Sequence, residues 1–384
     1  MSALRSVLTP AAVSRLALGW GAVVVLALSG PLLQPPVSAP LLVGSLAVII
    51  GVILVCAFGV VHEAEHLARR LGDPYGSLVL TLSIVLIEVI LISAVMLGPG
   101  DHSTIGRDSV MAVSMIILNA VVGLSLLIGG LRHGDLTHNR TGASAYHAML
   151  VLLVTLAFAL PAVLGENGSY APAQAVPVAL LTVGLYAFFL VRQMGPQAHG
   201  FREVDPRVRA EATAGTDTGA EEPRTSVLDV IAEHRTEVLL RTGLLVVTVL
   251  PIVLLSQDMA VLLDDGLGRL GAPVALAGVL IAMIVFLPES ITSVRAALQG
   301  EIQRVSNLCH GALVSTVGLT IPSVLVIGML TGQTVVLGES PVNLLLLGAT
   351  LLLSVTTFGS PRVTAVHGAV HLSVFVVYGM ALFA

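Results

Sequence analysis

Long apolar stretches separated by short polar ones run along almost the whole chain. A membrane-spanning helix needs about 20 predominantly apolar residues. Eleven windows meet this test or nearly meet it, and the tenth is the shortest; they are residues 13–33, 41–61, 76–97, 109–131, 146–164, 173–193, 238–256, 272–294, 306–330, 341–357 and 363–383. The pattern predicts an all-α polytopic membrane protein with about eleven transmembrane helices. The first window also resembles a signal peptide, but the number of apolar windows after it favours a first spanning helix.

The arginines give the predicted spans an orientation. When the connections are assigned to alternate sides, sixteen of the eighteen arginines fall on the side of the N-terminus, and only Arg107 and Arg269 fall on the other. Cytoplasmic loops carry the excess of positive charge in membrane proteins. We therefore expect a multi-pass protein of the cell inner (plasma) membrane with a cytoplasmic N-terminus and an extracytoplasmic C-terminus.

One long polar segment, residues 194–237, interrupts the apolar pattern. It mixes nine acidic residues with five arginines, glycine, threonine and proline. This composition is typical of a partly disordered cytoplasmic linker, and an acidic regulatory cation site is the alternative. The predicted organisation is a first helix (1–40), a first five-helix repeat (41–193), the linker (194–237) and a second five-helix repeat (238–384).

Composition restricts the class of function. Hydrophobic residues make up 55% of the chain and charged residues only 11%, with a mean hydropathy of +0.97, whereas a soluble domain carries about 25% charged residues. Much of the surface must face the lipid bilayer. The net charge of −5, without a basic tract, gives no support for binding nucleic acid. There is no nucleotide-binding loop, so an ion gradient is the expected energy source; neither a cofactor nor an enzymatic activity is predicted.

Two parts of the sequence repeat one pattern. GSLVLTLSIVLIEVILI, from Gly76, and AGVLIAMIVFLPESITSV, from Ala277, are apolar helices that each carry one glutamate, Glu88 and Glu289. Each is followed by an arginine and a helix rich in small residues, in which Asn119 and Thr316 stand twelve residues after the arginine. Five spans separate the copies, so their helices run in opposite directions. Inverted repeats that meet near the midplane are the architecture of alternating access.

The two glutamates are the candidate cation and proton site. A charged residue at the centre of a spanning helix costs about 2.5–3.5 kcal/mol or more and usually marks an ion or proton pathway. Two neighbouring carboxylates can hold protons or a hard cation, and Asn119, Ser315 and Thr316 offer the oxygen ligands that such cations prefer. The alternatives are a capping or lipid-interface role for the glutamates and interhelical packing for the small polar residues.

The stretches HEAEHLARRLGDPYGSLVLTLSIVLIEVILI and FLPESITSVRAALQGEIQRVSNLCHGALVSTVGLTIP resemble the two α-repeats of the Ca²⁺/cation antiporter superfamily, in particular its bacterial sodium-potassium (or calcium)/proton antiporters. The resemblance implies ten core helices in inverted five-helix repeats after an extra first helix, and it implies that Glu88 and Glu289 coordinate the cation. It also implies exchange of Ca²⁺, Na⁺ or K⁺ for H⁺. Ile84-Val85 and Gly311-Ala312 replace a Gly-Asn and a Gly-Ser pair of calcium/proton exchangers, which leaves the ion open among the three.

A second motif has a competing interpretation. His62, Glu63 and His66 match H-E-x-x-H, and Glu65 completes H-x-x-E-H in the same stretch. On a helix the two histidines lie one turn apart, as zinc ligation requires, so an intramembrane zinc metalloprotease is an alternative. No spanning helix obviously offers a third ligand. A cation or proton entry role and a solvated helix end are the other interpretations.

Three further histidines in predicted spans are candidates for proton transfer. His367 and His371 are one turn apart in the last window, and His310 lies in the second repeat. Histidine titrates near neutral pH, so a proton relay is a hypothesis beside the usual buried neutral imidazole. A cation channel lined by the two glutamates is the third function considered. Homo-oligomer formation is left open.

Overall fold

A computed structural model describes residues 7–71, 82, 85–86, 88–90, 92–93, 96–97, 103–204, 235–273 and 275–383. Within them the helices are α1 (Pro10–Ser29), α2 (Ala39–Leu71), α3 (Ile105–His133), α4 (Arg140–Leu164), α5 (Pro172–Met194), α6 (Arg235–Arg269), α7 (Ala275–Val285), α8 (Leu287–Leu298), α9 (Ile302–Thr331), α10 (Pro341–Gly359) and α11 (Ala365–Ala381). Strands β1 (Leu136–Thr137) and β2 (Arg362–Val363) pair antiparallel.

The helices confirm the all-α polytopic prediction. Eight of the described helices are long and apolar enough to cross a membrane, α7 and α8 together form a ninth, broken candidate, and α11 is a shorter apolar helix. Each predicted window coincides with a helix except the third, 76–97, which lies largely outside the described residues. The count of eleven spans and the inverted repeat therefore remain predictions.

Local sequence signals explain where several helices begin and end. Pro10 and Pro341 occupy the first helical position of α1 and α10, where the missing N–H has no helical partner to lose. The side chains of Thr9 and Ser340 cap the same helices by accepting hydrogen bonds from backbone N–H groups three residues later, as is typical of N-caps. Gly332 ends α9 with a positive φ of 71°, the conformation that favours glycine after a helix.

Contacts divide the chain into two compact units, each built from two chain segments. Unit 1 comprises Met1–Ile87 and Gly219–Pro288. In it α2 packs along α6, and α1 lies against both. The indole N–H of Trp20 on α1 donates to the carbonyl of Val247 on α6 at 3.2 Å. This bond supplements the apolar packing between the two helices.

Unit 2 comprises Glu88–Thr218 and Glu289–Ala384. Its helices α3 and α9 are the most enclosed of the candidate spans, with 78% and 67% of their apolar windows buried, whereas the figure for α1 is 11%. These two helices therefore form the centre of the unit. A π-helical segment, Ile116–Val121, interrupts α3 and carries Asn119; such segments are frequent at functional sites.

Glycines let α3 and α11 approach each other closely. A Cβ atom placed on Gly368 of α11 would lie 2.5 Å from the carbonyl oxygen of Gly123 on α3, well inside van der Waals contact. Small residues at such crossings are the usual means by which membrane helices bring their backbones together. Gly379, also on α11, has no neighbouring atom within 4 Å of the same position.

The predicted linker is described at its two ends. After α5, a short 3-10 helix, Ala198–Phe201, packs within unit 2 against α4 and α5, and Phe201 is buried there. The side-chain amide of Asn307 on α9 donates to the Phe201 carbonyl at 2.7 Å, and the Glu203 carboxylate accepts from the backbone N–H of Gln303 at 3.1 Å. Residues 205–234 of the linker lie outside the described part.

The two units do not coincide with the predicted repeats, because each contains residues from both halves of the chain. Two of the unit boundaries lie between Ile87 and Glu88 and between Pro288 and Glu289. Each boundary thus falls directly before a candidate glutamate, and both glutamates belong to unit 2.

Candidate cation-binding site

Glu88 and Glu289 are both buried in unit 2, with 4% and 5% of their surface exposed. Glu289 lies in the first turn of α8, one residue after Pro288 and three residues after the break between α7 and α8. The positive end of the helix dipole favours a carboxylate at this position. Glu88 lies in a described helical stretch, residues 88–90. The two carboxyl groups are close enough to interact electrostatically.

Thr316 joins Glu88 directly. Its hydroxyl donates a hydrogen bond of 2.6 Å to Oε2 of Glu88, and both side chains are buried. The buried oxygens that have no hydrogen-bond partner among the described residues include Oε1 of Glu88, both carboxyl oxygens of Glu289, and Oγ1 of Thr320, one turn after Thr316 on α9. Most buried polar atoms in proteins are hydrogen-bonded. A set of free carboxyl and hydroxyl oxygens suits a hard cation or protons.

Asn119 and Ser315 make other contacts. The Asn119 amide donates to Oγ1 of Thr350 on α10 at 2.9 Å, and its Oδ1 lies 3.3 Å from Nδ1 of His371 on α11. The Ser315 hydroxyl accepts from the Tyr186 hydroxyl on α5 at 2.8 Å. The structure therefore brings Thr316 to Glu88 and uses Asn119 and Ser315 in interhelical hydrogen bonds; that these two bind the cation remains a prediction.

The three histidines of the spans have different surroundings. His310 and His371 are fully buried, and His310 lies within hydrogen-bond distance of Ser306 and Ser354. His367 lies in the first turn of α11, where its Nδ1 accepts from the backbone N–H of Thr364 at 3.1 Å. His367 thus caps its own helix, and a relay role for it stays a prediction.

The H-E-x-x-H stretch forms an ion pair in unit 1. Glu63 is buried and bonded to Nη1 of Arg241 on α6, whose Nε donates to Glu237 at 3.1 Å. His62 is exposed, its ring 4.7 Å from that of His66, and the Glu65 side chain lies outside the described part. Among the described residues no group of three or more His, Cys, Asp or Glu side chains could hold a metal. Because Glu63 is held by Arg241, it is not free to act as the base for a zinc-bound water.

Sequence reasoning missed His147 on α4 and Ser354 on α10. Both are buried and hydrogen-bonded to each other at 2.8 Å. His147 could have been noticed as a histidine inside an apolar window. A serine in a spanning helix carries no comparable signal, since small polar residues are common there.

A polytopic helical fold with two buried carboxyl groups and free oxygens beside them defines a membrane protein that transports ions. The pattern of the family described as "Sodium/calcium exchanger protein" matches residues 41–195 and 241–384. The chain therefore belongs to the sodium/calcium exchanger family.

Relatives and solved structures agree with this family. The chain is 37% identical over 331 residues to y4hA, a proposed ionic transporter of Sinorhizobium fredii, and the matched region covers 85% of each chain. It is 31% identical to the sodium-potassium/proton antiporter ChaA of Escherichia coli over 86% of this chain and 87% of that one. The crystal structure of the H⁺/Ca²⁺ exchanger CAX matches 96% of this chain and 87% of its own with a TM-score of 0.69 at 14% identity, which shows a shared fold.

Proposed function

We propose that the chain is a secondary active antiporter that exchanges Ca²⁺, Na⁺ or K⁺ for protons at Glu88 and Glu289. The observation that carries this proposal is the set of buried carboxyl oxygens that have no hydrogen-bond partner among the described residues, together with the Thr316 hydroxyl that is bonded to Glu88. An isolated buried carboxylate is too costly to leave ionised and unpaired. Each carboxyl group must therefore hold a proton or contact a cation.

This requirement gives the exchange its coupling. A cation that enters the pair displaces protons, and protons that enter displace the cation, so the two cannot be bound fully at once. A substrate released to alternate sides needs a fold that opens the site to each side in turn, as inverted repeats allow. The expected setting is the inner membrane with the N-terminus in the cytoplasm.

The names of relatives support exchange but differ in the ion. ChaA is named a sodium-potassium/proton antiporter, and a relative from Synechocystis, 23% identical over 68% of this chain, is named a Ca²⁺/H⁺ antiporter. We propose that the protein transports one or more of these ions, and transport measurements will determine which.

Purified protein in sealed proteoliposomes tests the exchange. An imposed pH gradient is expected to drive uptake of Ca²⁺, Na⁺ or K⁺ against its own gradient, and removing the gradient abolishes the uptake. A cation channel, the second candidate, would instead let the cation run down its own gradient independently of pH. That result would reject the antiporter.

Glutamine variants test the site itself. Glu88→Gln and Glu289→Gln keep the size of the side chain and remove its charge, so we expect each to abolish proton-driven uptake while the protein still inserts. Glu166→Gln is the matched control, because Glu166 is exposed in the connection after α4. Near-normal uptake by either buried-site variant would remove that glutamate from the site.

A further inference from the structure

Two buried histidines on different helices face a single hydroxyl group. Nε2 of His147 on α4 lies 2.8 Å from Oγ of Ser354 on α10, and Nε2 of His310 on α9 lies 3.3 Å from the same oxygen. The imidazole rings are 4.8 Å apart between centroids. His310 and Ser354 are fully buried and His147 is 5% exposed. All three residues belong to unit 2.

The opposite nitrogen of each ring is fixed by its own helix. Nδ1 of His147 lies 2.6 Å from the carbonyl of Ala143, and Nδ1 of His310 lies 3.0 Å from the carbonyl of Ser306, each four residues earlier. The Ser306 hydroxyl also lies 3.0 Å from Nδ1 of His310, and a hydroxyl oxygen can accept from the same N–H. A carbonyl only accepts hydrogen bonds, so a ring nitrogen bonded to it carries the proton. In the neutral rings both Nε2 atoms are then acceptors, and they share the one proton of the Ser354 hydroxyl.

Either histidine can therefore accept the hydroxyl proton of Ser354. If Nε2 of His147 carries an additional proton, it donates to Ser354, and Ser354 donates to His310. When Ser354 takes that proton and gives its own to His310, one N–H and one O–H bond break and one of each forms. The charge has moved from α4 to α9 while both Nδ1 protons stay on their carbonyls.

The position of the pair along the helices suits proton supply to the glutamates. His147 is seven residues from the start of α4 and His310 eight from the start of α9, about 10 and about 12 Å along the helix axes. Thr316, which binds Glu88, is about 21 Å along α9 from the same end. That end is the one predicted to be cytoplasmic. The pair thus lies about halfway between it and the depth of the carboxyl groups.

The elements packed around the pair supply further titratable groups. His138, in the connection before α4, and His371 on α11 both act electrostatically on His310. The ring of Tyr146 stacks 6.0 Å from His310, and the Phe358 ring lies 4.7 Å from it. His138 is outside the spans, and burial lowers its pKa, with the nearby Arg140 adding to this effect.

We propose that His147, Ser354 and His310 form a proton relay that carries the counter-transported proton through the predicted cytoplasmic half of unit 2. The proposal rests on the antiport function and adds residues that the paired-glutamate site does not contain. Ser354 is its central member, because its hydroxyl lies within hydrogen-bond distance of both rings.

Variants at Ser354 separate the relay from packing. Ser354→Thr keeps the hydroxyl, and Ser354→Val has the same shape as threonine without it; Ser354→Ala is measured beside them as a smaller replacement. Ser373→Ala on α11 is the control, because that exposed serine bonds only its own helix. Two rates are measured in proteoliposomes: cation uptake driven by a pH gradient, and exchange of labelled for unlabelled cation at equal pH on both sides.

Cation self-exchange needs the cation site but no net proton transfer. We expect Ser354→Val and Ser354→Ala to lower pH-driven uptake at least about tenfold, in the range of lost proton-transfer catalysis, with self-exchange within about twofold of wild type. Ser354→Thr restores pH-driven uptake. Unchanged pH-driven uptake in Ser354→Ala overturns the relay, and so does an equal loss of both rates in variants that elute as folded protein. Wild-type protein that self-exchanges without responding to pH would instead refute the antiport proposal.

Discussion

Thr316 offers the most direct test of the carboxyl pair. Its hydroxyl donates a hydrogen bond of 2.6 Å to Glu88, and both side chains are buried. Thr316→Val keeps the branched shape and removes the donor. Oε2 of Glu88 then loses its partner, and the hydroxyl oxygen is no longer available as a cation ligand. We expect weaker cation binding with little change in the fold of α9.

The size of the effect follows from the kind of bond. A hydrogen bond to a charged group contributes about 1.5–3 kcal/mol. Each 1.4 kcal/mol corresponds to about a tenfold change in an equilibrium constant. The half-saturating cation concentration should therefore rise by about tenfold to about 100-fold. The maximal rate should change less, because the lost contact concerns binding of the ion and not the conformational change that carries it.

The assay is the cation dependence of pH-driven uptake in proteoliposomes. Thr316→Ser keeps the hydroxyl and should stay within about threefold of wild type, since only a buried methyl group is lost. Thr331→Val is the control for the substitution itself, because Thr331 is exposed at the end of α9 and bonds only its own helix. If Thr316→Val has the wild-type half-saturating concentration, the hydroxyl does not serve the cation site and the reasoning fails.

Three further predictions concern stability, measured by thermal unfolding in detergent. Gly368→Ala should destabilise unit 2 by about 1–3 kcal/mol through overpacking against α3, whereas Gly379→Ala should be neutral or stabilising by up to about 1 kcal/mol; equal effects would contradict the close helix approach. Arg241→Met should cost about 3–5 kcal/mol because it leaves Glu63 buried without its partner, and adding Glu63→Met should recover much of the loss; no recovery would contradict the pairing. Burial raises the pKa of Glu339, with Asp108 adding to this effect and the Asn343 and Ser340 hydrogen bonds and Arg107 opposing it. The unfolded chain then loses this proton first, so stability should fall as pH rises above about 4.3; Glu339→Gln should flatten the slope, and an unchanged slope would contradict it.

The fold class was predictable because hydrophobic windows of fixed length are a strong signal in a membrane protein. Ten of the eleven windows contain a described helix, and their ends follow local signals such as Pro10 and Pro341. The break at Phe286 between α7 and α8 was less visible, although Pro288 removes a backbone donor there. The division into two units could not be read from the sequence, because it depends on contacts between segments far apart in the chain.

The site was predictable only in part, for a similar reason. Charged residues in apolar helices are so costly that Glu88 and Glu289 stand out without any structure. The neighbours that decide their chemistry do not stand out: the bond from Thr316 to Glu88 joins residues 228 positions apart. For Asn119 and Ser315, the sequence allowed either a cation ligand or a contact between helices. Their hydrogen bonds to Thr350 and Tyr186 could not be predicted from the residue type, so the sequence could not decide between the two roles.

The surroundings of the carboxyl pair also connect the ion to the number of protons exchanged. Two carboxylates buried at one site bring a charge of about −2 into a medium where uncompensated charge is very costly. Val85 and Ala312 stand where calcium/proton exchangers have Asn and Ser. Both are fully buried, and neither has a polar side-chain atom that could offset this negative charge. One Ca²⁺ or two protons would each neutralise the pair. A single Na⁺ or K⁺ would neutralise it only if one carboxyl group kept its proton. If the proposed site is correct, we expect two protons to be exchanged for each Ca²⁺ and one proton for each monovalent ion, and the ratio of protons to cations moved in proteoliposomes tests this expectation.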